Sequence, residues 1–272
     1  MKLAIVTPSY IDKQARADWA RESLASLRAA IGEDYLHVVV DDPPAEISEW
    51  HDAAEKVYDG RNIMFIRRTG RPSAASALRQ AVHEAREQGA ELLFIHLDDA
   101  AYVSELGTLL EYARHAFEHD EELMEVPFTG YPILHRKHST PQLGNCSCVN
   151  ISEDQVSFGN LHLSPTRYKD YTLWWSHFHA RMVDEAFWAV LMWQVLYRAE
   201  FLETILLFES ARGRRTLGQV ELYYYKNRDN WRRLLESFPG KLGYINMQFG
   251  GLEMHRNRTW REMMRFPNVA VR

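Results

Sequence analysis

Gly89-Ala90-Glu91-Leu92-Leu93-Phe94-Ile95-His96-Leu97-Asp98-Asp99-Ala100-Ala101-Tyr102 is the stretch on which the reading of this chain turns. Four consecutive apolar residues, Leu92 to Ile95, are too few for a helix and lack alternation, which suits a strand covered on both faces. The strand runs directly into Asp98-Asp99. Two adjacent carboxylates repel each other unless a cation neutralises them, and hard oxygen donors suit Mg²⁺ or Mn²⁺. The alternative is a helix start, since aspartate favours the N-cap and a helical pattern follows from about Val103 to Phe117.

The same rhythm extends back to the N-terminus. Leu3-Ala4-Ile5-Val6 is an apolar run ended by Thr7-Pro8, and Ala17 to Ile31 places Ala20, Leu24, Leu27 and Ile31 on one helical face. His37-Val38-Val39-Val40 leads into Asp41-Asp42-Pro43-Pro44, Ile63-Met64-Phe65-Ile66 into Arg67-Arg68, and Ser73 to Gln88 is an alanine-rich helix stopped by Gly89. Strands alternating with helices predict an α/β fold, a Rossmann-like and mostly parallel sheet flanked by helices. Ligands of such sheets lie at the carboxyl ends of the strands. Those ends here are Thr7-Pro8, Asp41-Asp42, Arg67-Arg68 and Asp98-Asp99.

After about Glu125 the alternation stops. Pro127, Pro132, Pro141 and Pro165 punctuate a polar region, an aromatic helix is expected from about Ala180 to Leu202, and Tyr223-Tyr224-Tyr225 reads as a strand. Two parts follow, 1–124 and 125–272, packed as one continuous unit because no flexible linker separates them. Residues 1–124 hold 13 Lys and Arg against 23 Asp and Glu, and residues 125–272 hold 19 against 14. An acidic first part beside a basic second part points to an anionic ligand near their junction. Hydrophobic residues at 46% and charged residues at 25% are those of a globular domain with a packed core. The two cysteines, Cys146 and Cys148, are too few for a disulfide framework or a zinc site and are expected as reduced thiols. The longest apolar stretch, Ala186 to Tyr197, is too short to span a bilayer, and no secretory signal is visible, so a cytoplasmic location is expected.

Placed in order, these motifs resemble the family 2 glycosyltransferases, including the spore-coat polysaccharide type. Thr7-Pro8-Ser9-Tyr10 stands where that family has its first strand–turn, Val40-Asp41-Asp42 where it has an acidic pair, and Ala77-Leu78-Arg79-Gln80-Ala81-Val82-His83-Glu84-Ala85 where it has an Ala-Arg-Asn helix. Asp98-Asp99-Ala100-Ala101-Tyr102 matches the acidic metal motif, and the likeness runs to about residue 118. His96 replaces the first aspartate of the commoner Asp-x-Asp-Asp form, and Arg79 replaces the family's asparagine. The resemblance implies the A-type glycosyltransferase fold with a C-terminal acceptor-side region. It implies a nucleoside-diphosphate sugar as partner, a UDP-sugar by preference, and Mn²⁺ or Mg²⁺ as cofactor. Thr7, Pro8 and Tyr10 then line the base pocket, Asp41 accepts from the base or ribose, and Arg71 reaches the phosphates. Asp98 lies nearer the nucleoside, and Asp98 with Asp99 holds the cation.

For the second part the resemblance implies an inverting transfer in which a carboxylate deprotonates the acceptor hydroxyl. The comparable segment is Val183-Asp184-Glu185-Ala186-Phe187-Trp188, with Asp184 as the base and Glu185 in reserve; a first-turn acidic pair favouring the helix dipole is the plainer account. Trp174-Trp175-Ser176-His177-Phe178-His179 is either a stacking platform or core, and His177, His179 and His255 are further candidate cation ligands. The acceptor stays open among glycan, lipid-phosphate, protein and modified nucleic acid, the last because of Arg212-Gly213-Arg214-Arg215 and Arg228 to Arg233. Two alternatives remain: a non-catalytic nucleotide-sugar or glycan-binding module, and a sugar nucleotidyltransferase. The latter ordinarily carries a glycine-rich loop after its first strand, and Thr7 to Asp12 holds no glycine.

Overall fold

The computed structural model describes residues 1–42, 48–69, 71–102, 105–128, 149–151, 156–158, 161–177, 195–207, 216–217, 220, 240–245 and 253–255. The first part runs β1 (Leu3–Ser9), α1 (Gln14–Ile31), β2 (Leu36–Asp41), α2 (Ser48–Val57), β3 (Ile63–Arg67), α3 (Ala74–Glu87), β4 (Leu92–Ile95), β5 (Ala100–Tyr102), α4 (Glu105–His119) and β6 (Leu123–Pro127). Then come β7 (Val149–Ile151), β8 (Val156–Phe158), β9 (Leu161–Arg167), β10 (Thr172–His177), β11 (Val195–Arg198), α5 (Ala199–Leu207), β12 (Lys241–Ile245) and β13 (Glu253–His255).

One sheet of eleven strands, in the order β3-β2-β1-β4-β11-β6-β12-β10-β9-β8-β7, takes strands from both parts of the chain. Its first four strands are all parallel. Beyond them β11 inserts antiparallel between β4 and β6, β12 runs parallel to β6, and β10 and β9 continue antiparallel. Every residue of β1 and β4 is buried, as a strand with helices on both faces requires. Ala4, Val6, Val38, Val40, Leu93 and Ile95 pack under α3 and α5. Leu3, Ile5, Leu92 and Phe94 face the other way, onto Leu27 of α1 and Leu106, Leu110 and Phe117 of α4. α2, which the sequence pattern does not announce, closes a third cluster with Ile11, Leu24 and Val39.

Local chemistry sets the helix ends. The Ser73 hydroxyl caps α3 by accepting from the Ser76 N–H, and Gly89 follows the helix at φ +80°, a conformation that costs glycine nothing.

The expected helix from Ala180 to Leu202 needs correction at its C-terminal end. Val195 to Arg198 is a strand, and the helix starts only at Ala199. Leu196 and Tyr197 find a ladder on either side, Val195 pairs with β6, and Arg198 donates to the carbonyls of Leu123, Phe117 and Asp120. Residues 180–194, Tyr223-Tyr224-Tyr225, Cys146 and Cys148 lie outside the described residues. Among the described residues no helix is long and apolar enough to cross a membrane.

Candidate active site

The order β3-β2-β1-β4 reverses direction at β1: β2 and β3 extend to one side, β4 to the other. Open α/β sheets bind ligands at the carboxyl ends of the strands where the order reverses. Tyr10 follows β1 and Asp98 follows β4, and the Tyr10 backbone N–H donates to Asp98 Oδ2 at 3.0 Å. Pro8 lies beyond the end of the β1–β4 ladder, which stops at Val6 and Ile95, so its missing N–H breaks no pairing. Tyr10 is half-buried, with the Arg16 guanidinium 5.3 Å from its ring centroid and Arg16 Nη1 donating to its carbonyl.

Asp98 and Asp99 are the two central residues of a turn that the Ala100 N–H closes onto the Leu97 carbonyl at 3.2 Å. The helix-cap alternative for the pair fails, because β5 stands between the turn and α4. β5 pairs with β13 in a register that sets His255 opposite Ala100, one residue beyond Asp99.

Negative charge accumulates at this rim. Asp41 ends β2 fully buried, and burial, joined by Asp42 and Asp98, raises its pKa from the usual 3.8 to about 7 against the pull of Arg67. Asp98 rises to about 6, through burial first and then Asp99, opposed by the Tyr10 N–H and by Arg16. Asp42 is raised by burial too, yet it has firm partners: Arg68, and the backbone N–H of Ser73 at the head of α3. Asp42 thus joins β2 to α3, while Asp41 and Asp98 gather near one another as hard oxygen donors. A site that penalises two carboxylates in this way gains from a cation. Among the described residues no three His, Cys, Asp or Glu side chains form a complete cation cage.

Beneath the rim lies a polar group that the sequence reading did not assemble. The buried Thr7 hydroxyl is 2.7 Å from His37 Nε2 and 2.8 Å from His96 Nδ1, and His96 Nε2 is 2.9 Å from Ser23 Oγ on α1. Burial keeps both imidazoles neutral, lowering His37 to about 3 with help from Arg28 and His96 well below its usual value. Thr7 was expected at the base pocket; its hydroxyl is committed inward to two histidines instead. Ser23 is an isolated serine within α1 and His37 stands beside the apolar run of β2, so no local pattern marks either as a partner of Thr7.

Other predicted residues fall as follows. Arg71 is exposed in the segment before α3. Trp174 and Trp175 do not form one platform: Trp174 packs on the α3 side of the sheet and Trp175 on the α4 side, where Lys241 Nζ lies 4.5 Å from its ring centroid. His177 sits at the end of β10 with its ring against Trp175. Asp184, Glu185 and His179 lie outside the described residues.

Among solved structures, the chain is similar to the crystal structure of a fragment of TarS from S. aureus, residues 1–349. The TM-score is 0.51 over 92% of this chain and 59% of that one, at 14% identity. The fold is the A-type fold of the glycosyltransferases. At that identity the likeness is one of fold, and this chain spans about three fifths of the TarS fragment. A mannosyltransferase from Pyrobaculum calidifontis, solved with GDP-Man and Mn²⁺, scores 0.36 at 21% identity over 48% of this chain and 36% of that one. A 4-diphosphocytidyl-2C-methyl-D-erythritol synthase scores 0.45 at 13% identity over 97% and 95%. No protein-family model and no curated protein matches the chain.

Proposed function

We propose that this A-type fold is a glycosyltransferase that binds a nucleoside-diphosphate sugar, a UDP-sugar by preference, at the carboxyl ends of β1 and β4. It transfers the sugar to an acceptor hydroxyl. The observation that carries the reading is the bond from the Tyr10 N–H to Asp98, which draws the ends of β1 and β4 together at the reversal of strand order with Asp41 close by. TarS, whose fold this chain shares, has been solved with UDP and with UDP-GlcNAc.

In this reading Tyr10 and Pro8 flank the base, with Thr7 supporting them from below, and Asp41 accepts from base or ribose. Arg71 approaches the phosphates, and Asp98 and Asp99 hold Mn²⁺ or Mg²⁺. His255, which the β5–β13 register brings beside Ala100, is the candidate third ligand. A divalent cation held there would supply positive charge to the departing diphosphate. Residues 1–124 form the donor side and residues 125–272 the acceptor side, where Asp184, with Glu185 in reserve, serves as the base of an inverting transfer.

The test is a panel of sugar nucleotides, with and without Mn²⁺, scored by thermal shift and by slow hydrolysis in the absence of acceptor. Mn²⁺-dependent stabilisation by one UDP-sugar together with slow release of its sugar is the expected result. Stabilisation with no hydrolysis of any donor identifies a binding module, and no stabilisation by any nucleotide refutes the reading.

A further inference from the structure

The Thr7, His37, His96 and Ser23 side chains form a chain of hydrogen bonds whose direction can be worked out from its last member. Ser23 Oγ lies 2.9 Å from the Leu97 carbonyl oxygen and 2.9 Å from His96 Nε2. A carbonyl only accepts, so the single Ser23 proton goes to Leu97, and His96 Nε2 must be the donor to Ser23. His96 is wholly buried and neutral, which leaves its Nδ1 as a bare lone pair, so the Thr7 hydroxyl donates to it. Thr7 has then spent its proton, and its oxygen accepts from His37 Nε2–H. Each step fixes the next. The direction runs from β2 through β1 and the end of β4 to α1, and it finishes on the Leu97 carbonyl.

That carbonyl is the one that closes the turn carrying Asp98 and Asp99. It therefore receives two donors, the Ala100 N–H from within the turn and the Ser23 hydroxyl from beneath. A second serine on α1 repeats the tie one step along, with Ser26 Oγ 3.2 Å from the Tyr102 backbone N. On its other side, His96 donates its backbone N–H to the Val6 carbonyl, extending the β1–β4 connection to the foot of the turn. His96 stands two residues before Asp98, facing inward with no exposed surface, so its contribution to the rim is made from below.

We infer that this directed chain, His37 to Thr7 to His96 to Ser23 to the Leu97 carbonyl, is a positioning device that holds the Asp98–Asp99 turn in its binding geometry. The four residues are positioning residues and touch no ligand. The inference rests on the proposed nucleotide reading for its functional half; the tautomers it fixes do not depend on that reading. Both histidines carry their proton on Nε2. Neutral, satisfied side chains hold the turn without placing a charge beside two carboxylates.

Two measurements on the full chain test it. The first is the nitrogen chemical shifts of the histidine side chains in ¹⁵N-labelled protein, compared between wild type and His37→Gln and His96→Gln for assignment. Nε2–H tautomers at both His37 and His96 are expected. A Nδ1–H tautomer at His96 reverses the chain and overturns the inference, whatever the protein binds. The second is the dissociation constant of UDP with Mn²⁺, beside melting temperature, for wild type, Thr7→Val, Thr7→Ser and Ser23→Ala. Thr7→Val keeps the shape but removes the hydroxyl. It should weaken binding about tenfold or more, and Thr7→Ser, which restores the hydroxyl, should recover it, even if both variants melt below wild type. Ser23→Ala, which removes only the last link, should weaken binding in the same direction. Equal loss of stability in Thr7→Val and Thr7→Ser with binding unchanged in both reduces the chain to core structure and overturns the positioning role. A wild-type protein that binds no nucleoside diphosphate fails in a different pattern: it refutes the proposed function, and the positioning role with it, before any variant is compared.

Discussion

Asp41 and Asp98 hold protons more tightly in the folded chain than in the unfolded one, since burial raises them from the usual 3.8 to about 7 and about 6. A group with a raised folded pKa removes stability as pH climbs from its unfolded to its folded value, because the native state then binds the extra proton. The melting temperature of the metal-free protein should therefore fall between about pH 4 and pH 7 through these two groups, and Asp41→Asn should flatten the fall. A wild-type profile that rises through that window with the variant running parallel contradicts this account of the rim. Binding has the opposite sign: UDP with Mn²⁺ should bind more tightly at pH 8 than at pH 5, as Asp98 sheds the proton a cation must displace and Asp41 becomes a full acceptor. Asp41→Ala should in addition weaken nucleoside diphosphates by about 1–3 kcal/mol, the cost of a missing buried partner; an unchanged dissociation constant in calorimetry moves the nucleotide elsewhere. At this scale Asp98, Asp99 and Asp41 were legible because strand ends announce themselves in sequence. Ser23 and His37 were not, because nothing local marks a helix serine and a strand histidine as partners of a threonine on a third element.

Elements of the first part were legible for the same reason that they fold as they do. β1, β2, β3 and β4 are continuous apolar runs, and α1, α3 and α4 carry helical spacing, so each pattern names its element without help from the rest. β11 is the counterexample. Val195-Leu196-Tyr197 sits inside a longer apolar stretch that reads as helix, and its strand conformation comes from two neighbours distant in sequence, β4 and β6. Intrinsic preference is a weak guide when ladders on both sides override it. Leu196, with no exposed surface in this slot, should cost about 2–5 kcal/mol when cut to alanine, measured by urea unfolding. A loss below ~0.5 kcal/mol, the range of surface substitutions, is incompatible with a central strand there.

Over the described residues, the A-type fold joins an all-parallel quartet of strands to a mixed extension in one sheet, with the acidic rim at the reversal of strand order. Charge follows the same division, acidic in residues 1–124 and basic in 125–272. The proposed donor site, with carboxylates and a cation beside a basic acceptor side, accords with that asymmetry. The acceptor-side chemistry can be tested without knowing the acceptor's class. In an assay of donor hydrolysis or transfer, Asp184→Asn should leave sugar-nucleotide affinity intact and lower turnover about 10²–10⁴-fold, the contribution of a positioned general base. Glu185→Gln is the control; if it alone stops turnover the two roles are exchanged, and if neither variant does, the base is elsewhere. The proposed nucleotide site is tested most directly by one calorimetric titration of UDP into the protein in the presence of Mn²⁺, run for wild type and for Asp99→Asn. Saturable, Mn²⁺-dependent binding in the wild type and its loss in a variant that still folds is the predicted result; equal affinity in the two proteins contradicts the account.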